Sequence, residues 1–126
     1  MSTEKSGIIN SDQTWSGNIT VTGSVKVTNG ATLTISAGTQ ITVQSGGDYK
    51  IWIDSTGFLV ANTNNDDISI SSDGSGTDDW KGIEFTDNTS SNSSSGSSLK
   101  GVTISNATYG VNVEGQGILI LSLIHI

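Results

Sequence analysis

A chain of 126 residues has room for one core, and its 63 Ser, Thr, Asn and Gly leave that core to 31 Ile, Leu, Val and Phe. That apolar share is near a quarter, above the roughly 20% below which a chain stays disordered. Twelve acidic residues against five lysines, with no arginine and no cysteine, give a formal charge of -7; this argues against nucleic acid and acidic polysaccharide as partners and excludes disulfides, thiolate zinc sites and cysteine nucleophiles.

Residues 1–12 carry no alternation and read as an N-terminal extension. Met1 to Gly7 lacks the apolar stretch of a secretory signal, and Ile8-Ile9 is too short to supply one. From Ile19 onward apolar residues fall two apart in short pairs: Ile19/Val21, Val25/Val27, Leu33/Ile35, Ile41/Val43, Ile51/Ile53 and Ile68/Ile70. Period two means strands, and β-branched Ile, Val and Thr suit a pleated surface. Between the pairs lie Thr22-Gly23-Ser24, Asn29-Gly30-Ala31, Ala37-Gly38-Thr39 and Gln44-Ser45-Gly46-Gly47-Asp48, which read as corners. Leu59 marks a further short strand, and Ile83/Phe85, Val102/Ile104, Val111/Val113 and Ile118/Ile120 continue the pattern.

No helix-period stripe occurs. Such short, closely spaced strands suit a solenoid, in which each coil makes three strands and each strand pairs with the one a coil below. The expected fold is therefore all-β, a parallel β-solenoid of about four coils of roughly 20 to 30 residues. Its interior is predicted to be Ile19, Val21, Leu33, Ile35, Ile41, Val43, Ile51, Ile53, Ile68, Ile70, Ile83, Phe85, Val102 and Ile104. Ala61 to Asp79 holds one strand between two polar loops, and the low-complexity run Thr86 to Ser98 reads as a surface loop at a corner.

The apolar run at the end of the chain is far below the roughly 18 residues that span a bilayer, so no membrane span is expected. Leu121-Ser122-Leu123-Ile124-His125-Ile126 resembles translated sequencing-adapter sequence. Residues 13–120 are accordingly read as the β-helix domain, truncated at its C-terminus, and 121–126 as a non-native tail. The resulting strand edge is expected to favour end-to-end self-association.

Trp15-Ser16-Gly17-Asn18-Ile19-Thr20-Val21, then Val25-Lys26-Val27-Thr28-Asn29-Gly30-Ala31-Thr32-Leu33-Thr34-Ile35 and Ala37-Gly38-Thr39, resemble the opening coils of bacterial right-handed parallel β-helix proteins of the pectate-lyase-like superfamily. Gly57-Phe58-Leu59-Val60-Ala61, Trp80-Lys81-Gly82-Ile83-Glu84-Phe85, Val102-Thr103-Ile104-Ser105-Asn106-Ala107 and Gly110-Val111-Asn112-Val113 are similar to later coils of that group. The resemblance covers about residues 13 to 117 and implies a right-handed parallel β-helix. It implies no single activity, because the superfamily includes lyases, hydrolases, adhesins and structural stalks. Pectin-cleaving members carry arginine or lysine beside calcium-bound aspartates, or clustered aspartates with histidine and arginine. Here arginine is absent and the single histidine, His125, lies in the tail.

Several residues are candidates for chemistry. Asp73, Asp78 and Asp79 sit in a glycine-containing loop and could supply oxygens to calcium, with Asp66 and Asp67 one short strand away. The competing reading is a solvated loop whose Asp and Gly form turns. Trp52 alternates with inward Ile51 and Ile53 and so points outward, where an indole can stack on a sugar ring. Asp54 and Glu84 flank strand segments and could face a common groove with it. The same Trp52 could instead be covered by a neighbouring loop or subunit, while Trp15 and Trp80 are expected to pack. Thr20/Thr22, Thr32/Thr34 and Thr42 face outward, the arrangement associated with ice-binding solenoids, although threonine also favours exposed strand faces by propensity alone.

The expected function is a noncatalytic structural or adhesive module of an extracellular or cell-surface protein. The alternative is a carbohydrate-binding or polysaccharide-degrading domain (lyase or glycoside hydrolase) whose active coils lie beyond this stretch, acting on carbohydrate or a surface glycan. Ice binding is the lesser alternative.

Overall fold

The computed structural model describes residues 3–54, 56–65, 67–86, 97–114 and 120–125. These contain twelve strands and no helix: β1 (Thr3–Ile9), β2 (Gln13–Trp15), β3 (Asn18–Val27), β4 (Thr32–Ile35), β5 (Gln40–Val43), β6 (Lys50–Ile53), β7 (Phe58–Asn62), β8 (Ile68–Ser72), β9 (Gly82–Thr86), β10 (Ser98–Ile104), β11 (Val111–Glu114) and β12 (Ile120–His125).

Every strand pairing among the described residues is parallel, and the pairings form three ladders. The first runs through the start of β1, the start of β3, β5, β8 and the end of β10. The second contains the rest of β1, the rest of β3, β6, β9 and β11. The third is β2, β4, β7 and the start of β10, with β12 paired beyond β10. The chain visits the three in unbroken rotation. Parallel strands need a crossover, and here each crossover consists of the strands of the other two ladders. The arrangement is compatible with a β-solenoid.

Register makes the core. Ile19, Ile41, Ile70 and Ile104 stand side by side in the first ladder. Val25, Ile51 and Ile83, and beside them Val27, Ile53 and Phe85, do so in the second. Leu33 lies beside Leu59 in the third, and Ile35 beside Ala61, which has Leu99 on its other side. All fourteen residues expected in the interior are buried. They belong to one continuous hydrophobic cluster.

Trp15 and Trp80 are fully buried, as expected. Trp15 lies beside Ile35 at the edge of the third ladder. The indole N–H of Trp80 donates to the carbonyl of Ser105 at 2.9 Å, tying one corner to the next. Two buried hydroxyls in the corners find partners, whereas Asp67 Oδ1 and Thr108 Oγ1 are buried with none among the described residues. The Thr39 hydroxyl donates to the carbonyls of Ser36 (2.7 Å) and Trp15 (3.2 Å), and the Ser97 hydroxyl accepts the N–H of Leu59 at 2.9 Å.

Two stretches depart from the sequence pattern. Residues 3–9, read as an extension, form β1 along β3, with Thr3 and Lys5 set against Ile19 and Val21. Their backbone pairs although their side chains carry no apolar alternation, because an existing strand edge offers a row of donors and acceptors. Likewise Ser98–Lys100, at the border of the expected loop, opens β10 and pairs with β7. Thr86, at the other border, closes β9, and 87–96 lie outside the described residues. Leu121 to His125, in the segment read as a tail, continue from Ile120 as β12 and pair in parallel with β10.

Candidate functional site

Alternation in the second ladder turns Ile51 and Ile53 inward and leaves Lys50, Trp52 and Asp54 on the outside. Register then sets Lys26 on one side of Trp52 and Glu84 on the other. The three residues expected to bind carbohydrate, Trp52, Asp54 and Glu84, therefore share one outer face. Lys26 and Lys50 join them, and nothing local in the sequence pointed to that.

The groups on this face are engaged with one another. The ammonium groups of Lys26 and Lys50 each lie 4.5 Å from the centre of the Trp52 ring system, within cation–π range. Its indole N–H donates to the Thr86 hydroxyl at 2.8 Å. Lys50 donates to Glu84 Oε2 at 2.9 Å, and Lys26 lies 4.0 Å from Asp54 Oδ2. Asp54 also accepts from the Thr28 hydroxyl and, at 2.8 Å each, from the backbone N–H and hydroxyl of Thr56. Two lysines and two carboxylates thus balance around one indole.

Burial pushes the Asp54 carboxyl up, but the hydrogen bonds from Thr28 and Thr56, with the Lys26 ammonium, outweigh it and hold the group below its ordinary value. Asp73 is also held low, chiefly by the Ser45 hydroxyl and then by the Ser45 N–H. A carboxyl lowered on folding contributes stability that is present above its unfolded pKa and lost as the pH falls through the folded one. Melting temperature should thus fall as acid is added below pH about 4, and Asp54→Asn should show a shallower fall. An identical acid profile in the variant would mean that this corner plays no part.

The acidic loop is arranged differently from a cation cage. Asp73 accepts from the Ser45 N–H (2.9 Å) and hydroxyl (2.7 Å). Asp79 Oδ2 accepts from the Ser72 hydroxyl (2.6 Å) and the Gly76 N–H (3.0 Å). Asp78 is exposed, and Asp66 lies outside the described residues. Among the described residues no three His, Cys, Asp or Glu gather where a metal could be held.

Of the outward threonines, Thr20 and Thr42 lie side by side with Ser71 next in line, whereas Thr34 stands between Thr14 and Val60. A concavity of about 200 Å³ opens near β1, where Glu4, Lys5, Ile8, Gln13 and Trp15 contribute to its wall. None of the expected site residues reaches it. Among the described residues no helix is long and apolar enough to cross a membrane.

No family model, no curated protein and no solved structure matches the chain.

Proposed function

We propose that this chain is a noncatalytic structural or adhesive module of a secreted or surface protein, built as a right-handed parallel β-helix of the pectate-lyase-like kind with about four coils. The observation that carries the reading is the mutual engagement of the outer face. Glycoside hydrolysis needs one carboxyl with a raised pKa and a second that stays ionised. Asp54 is held low by its own neighbours, and Glu84 is paired with Lys50. Trp52, the natural sugar platform, already carries two ammonium groups and spends its N–H on Thr86. Such a face stiffens the stacked strands.

One observation favours a second reading, a carbohydrate-binding domain: Trp52, Asp54 and Glu84 do share a face. A panel of neutral and acidic polysaccharides, assayed for retention and for newly released reducing ends, separates the two. The structural reading expects no release, and expects Trp52→Ala to lower the melting temperature without altering retention. Saturable retention that vanishes in Trp52→Ala, with the strand signal in circular dichroism intact, would establish the second reading instead.

Calcium at Asp73, Asp78 and Asp79 is a separate proposal with its own measurement. A cation bound only by the folded chain must raise its melting midpoint, so a calcium titration that leaves the midpoint unmoved removes it.

A further inference from the structure

Asn29-Gly30 is the single Asn-Gly step in the chain. It forms an exposed corner in which both residues have positive φ, 59° and 77°, a conformation that Asn and Gly tolerate best. An Asn-Gly step is chemically labile. The Gly nitrogen, freed of its proton, attacks the Asn side-chain carbonyl carbon, a C–N bond closes a succinimide, and ammonia leaves. Water then opens the ring to aspartate or isoaspartate. Glycine offers no side chain to obstruct the attack.

Here the nucleophile is held. The Gly30 N–H donates to the Thr56 carbonyl at 2.6 Å, and the Asn29 N–H donates to the Thr56 hydroxyl at 2.9 Å. Thr56 is itself gripped, since its N–H and hydroxyl both donate to Asp54 Oδ1. The Ala31 N–H closes the turn on the Thr28 carbonyl at 3.1 Å. We infer that Asn29-Gly30 is a latent deamidation site, kept closed by the Asp54–Thr56 corner paired beside it. Attack on Asn29 requires the Gly30 nitrogen to leave Thr56 and the turn to rotate, so the reaction proceeds only through local opening. Completion would add a negative charge beside the carboxylate of Asp54 in either product, and in isoaspartate an extra backbone atom as well. Either change weakens the corner that had prevented it, so damage at this step promotes further opening.

The test needs no ligand. The native chain and the chain unfolded in urea are incubated at the same mildly alkaline pH, and the Asn29 peptide is followed by mass spectrometry with isoaspartate-resolving fragmentation. The native rate should be slower by about tenfold or more, because opening breaks two hydrogen bonds. Asp54→Ala and Thr56→Ala should move the native rate toward the unfolded one, with Thr56→Ser near wild type. If a variant does not fold, the native-against-unfolded comparison still decides whether the site is closed. Equal rates in the native and unfolded chains would overturn the inference. So would native protection that survives unchanged in both folded alanine variants, since the corner would then not be its cause.

Discussion

Replacing Ile51 by alanine is expected to destabilise the protein by about 2–5 kcal/mol, lowering the melting midpoint by roughly 8–20 °C. Ile51 is fully buried and stands between Val25 and Ile83 in the second ladder. Truncation therefore opens a gap in the middle of a column, where rigid strands on both sides limit relaxation. The comparison is Thr42→Ala, on the outer side of β5 between Thr20 and Ser71, for which a change within about 1 kcal/mol is expected. Equal losses from the two substitutions would show that the inward parity assigned to the strands is wrong.

Gly82→Ala should be at least as damaging, for a different reason. Gly82 opens β9 with φ of 104°, and an added Cβ would sit 1.6 Å from the carbonyl oxygen of Tyr109 and 3.1 Å from that of Gly110. The backbone conformation alone costs a side-chain-bearing residue about 1–3 kcal/mol. The collision adds to it, and no flexible side chain can give way because the obstructing atoms are backbone. Relief requires the 109–110 segment to move off β9, which loosens the hydrogen bond from the Ile83 N–H to the Gly110 carbonyl and the adjoining pairing of β11. Hydrogen exchange should therefore accelerate at Ile83 and through β11 while β3 to β6 keep their protection. A variant with wild-type melting and unchanged exchange would mean that the Tyr109 carbonyl does not crowd Gly82.

Much of this architecture follows from the amino-acid sequence. Period-two pairing of Ile, Val, Leu and Phe decides, strand by strand, which side chains turn inward, because neighbouring Cβ atoms on a strand point to opposite faces. That rule placed Ile19, Ile41, Ile51 and Phe85 inside and Trp52 outside without knowledge of any partner strand. The corners were legible for the same local reason, as at Asn29-Gly30, where both residues take positive φ.

Tertiary structure decided which strands lie side by side. The separation between partners grows from 20 residues (Gln13 to Leu33) to 26 (Leu33 to Leu59) and 38 (Ala61 to Leu99), so no fixed repeat could be read off. Corners absorb insertions without disturbing stacked strands, which leaves the spacing unconstrained. The meeting of Lys26, Trp52 and Glu84, and the grip of Asp54 on Thr28, depend on that non-local register. So do β1 and the start of β10, whose polar Thr3, Lys5 and Ser98 carry no alternation of their own. These segments become strands because a neighbouring edge, β3 for β1 and β7 for the start of β10, presents backbone donors and acceptors.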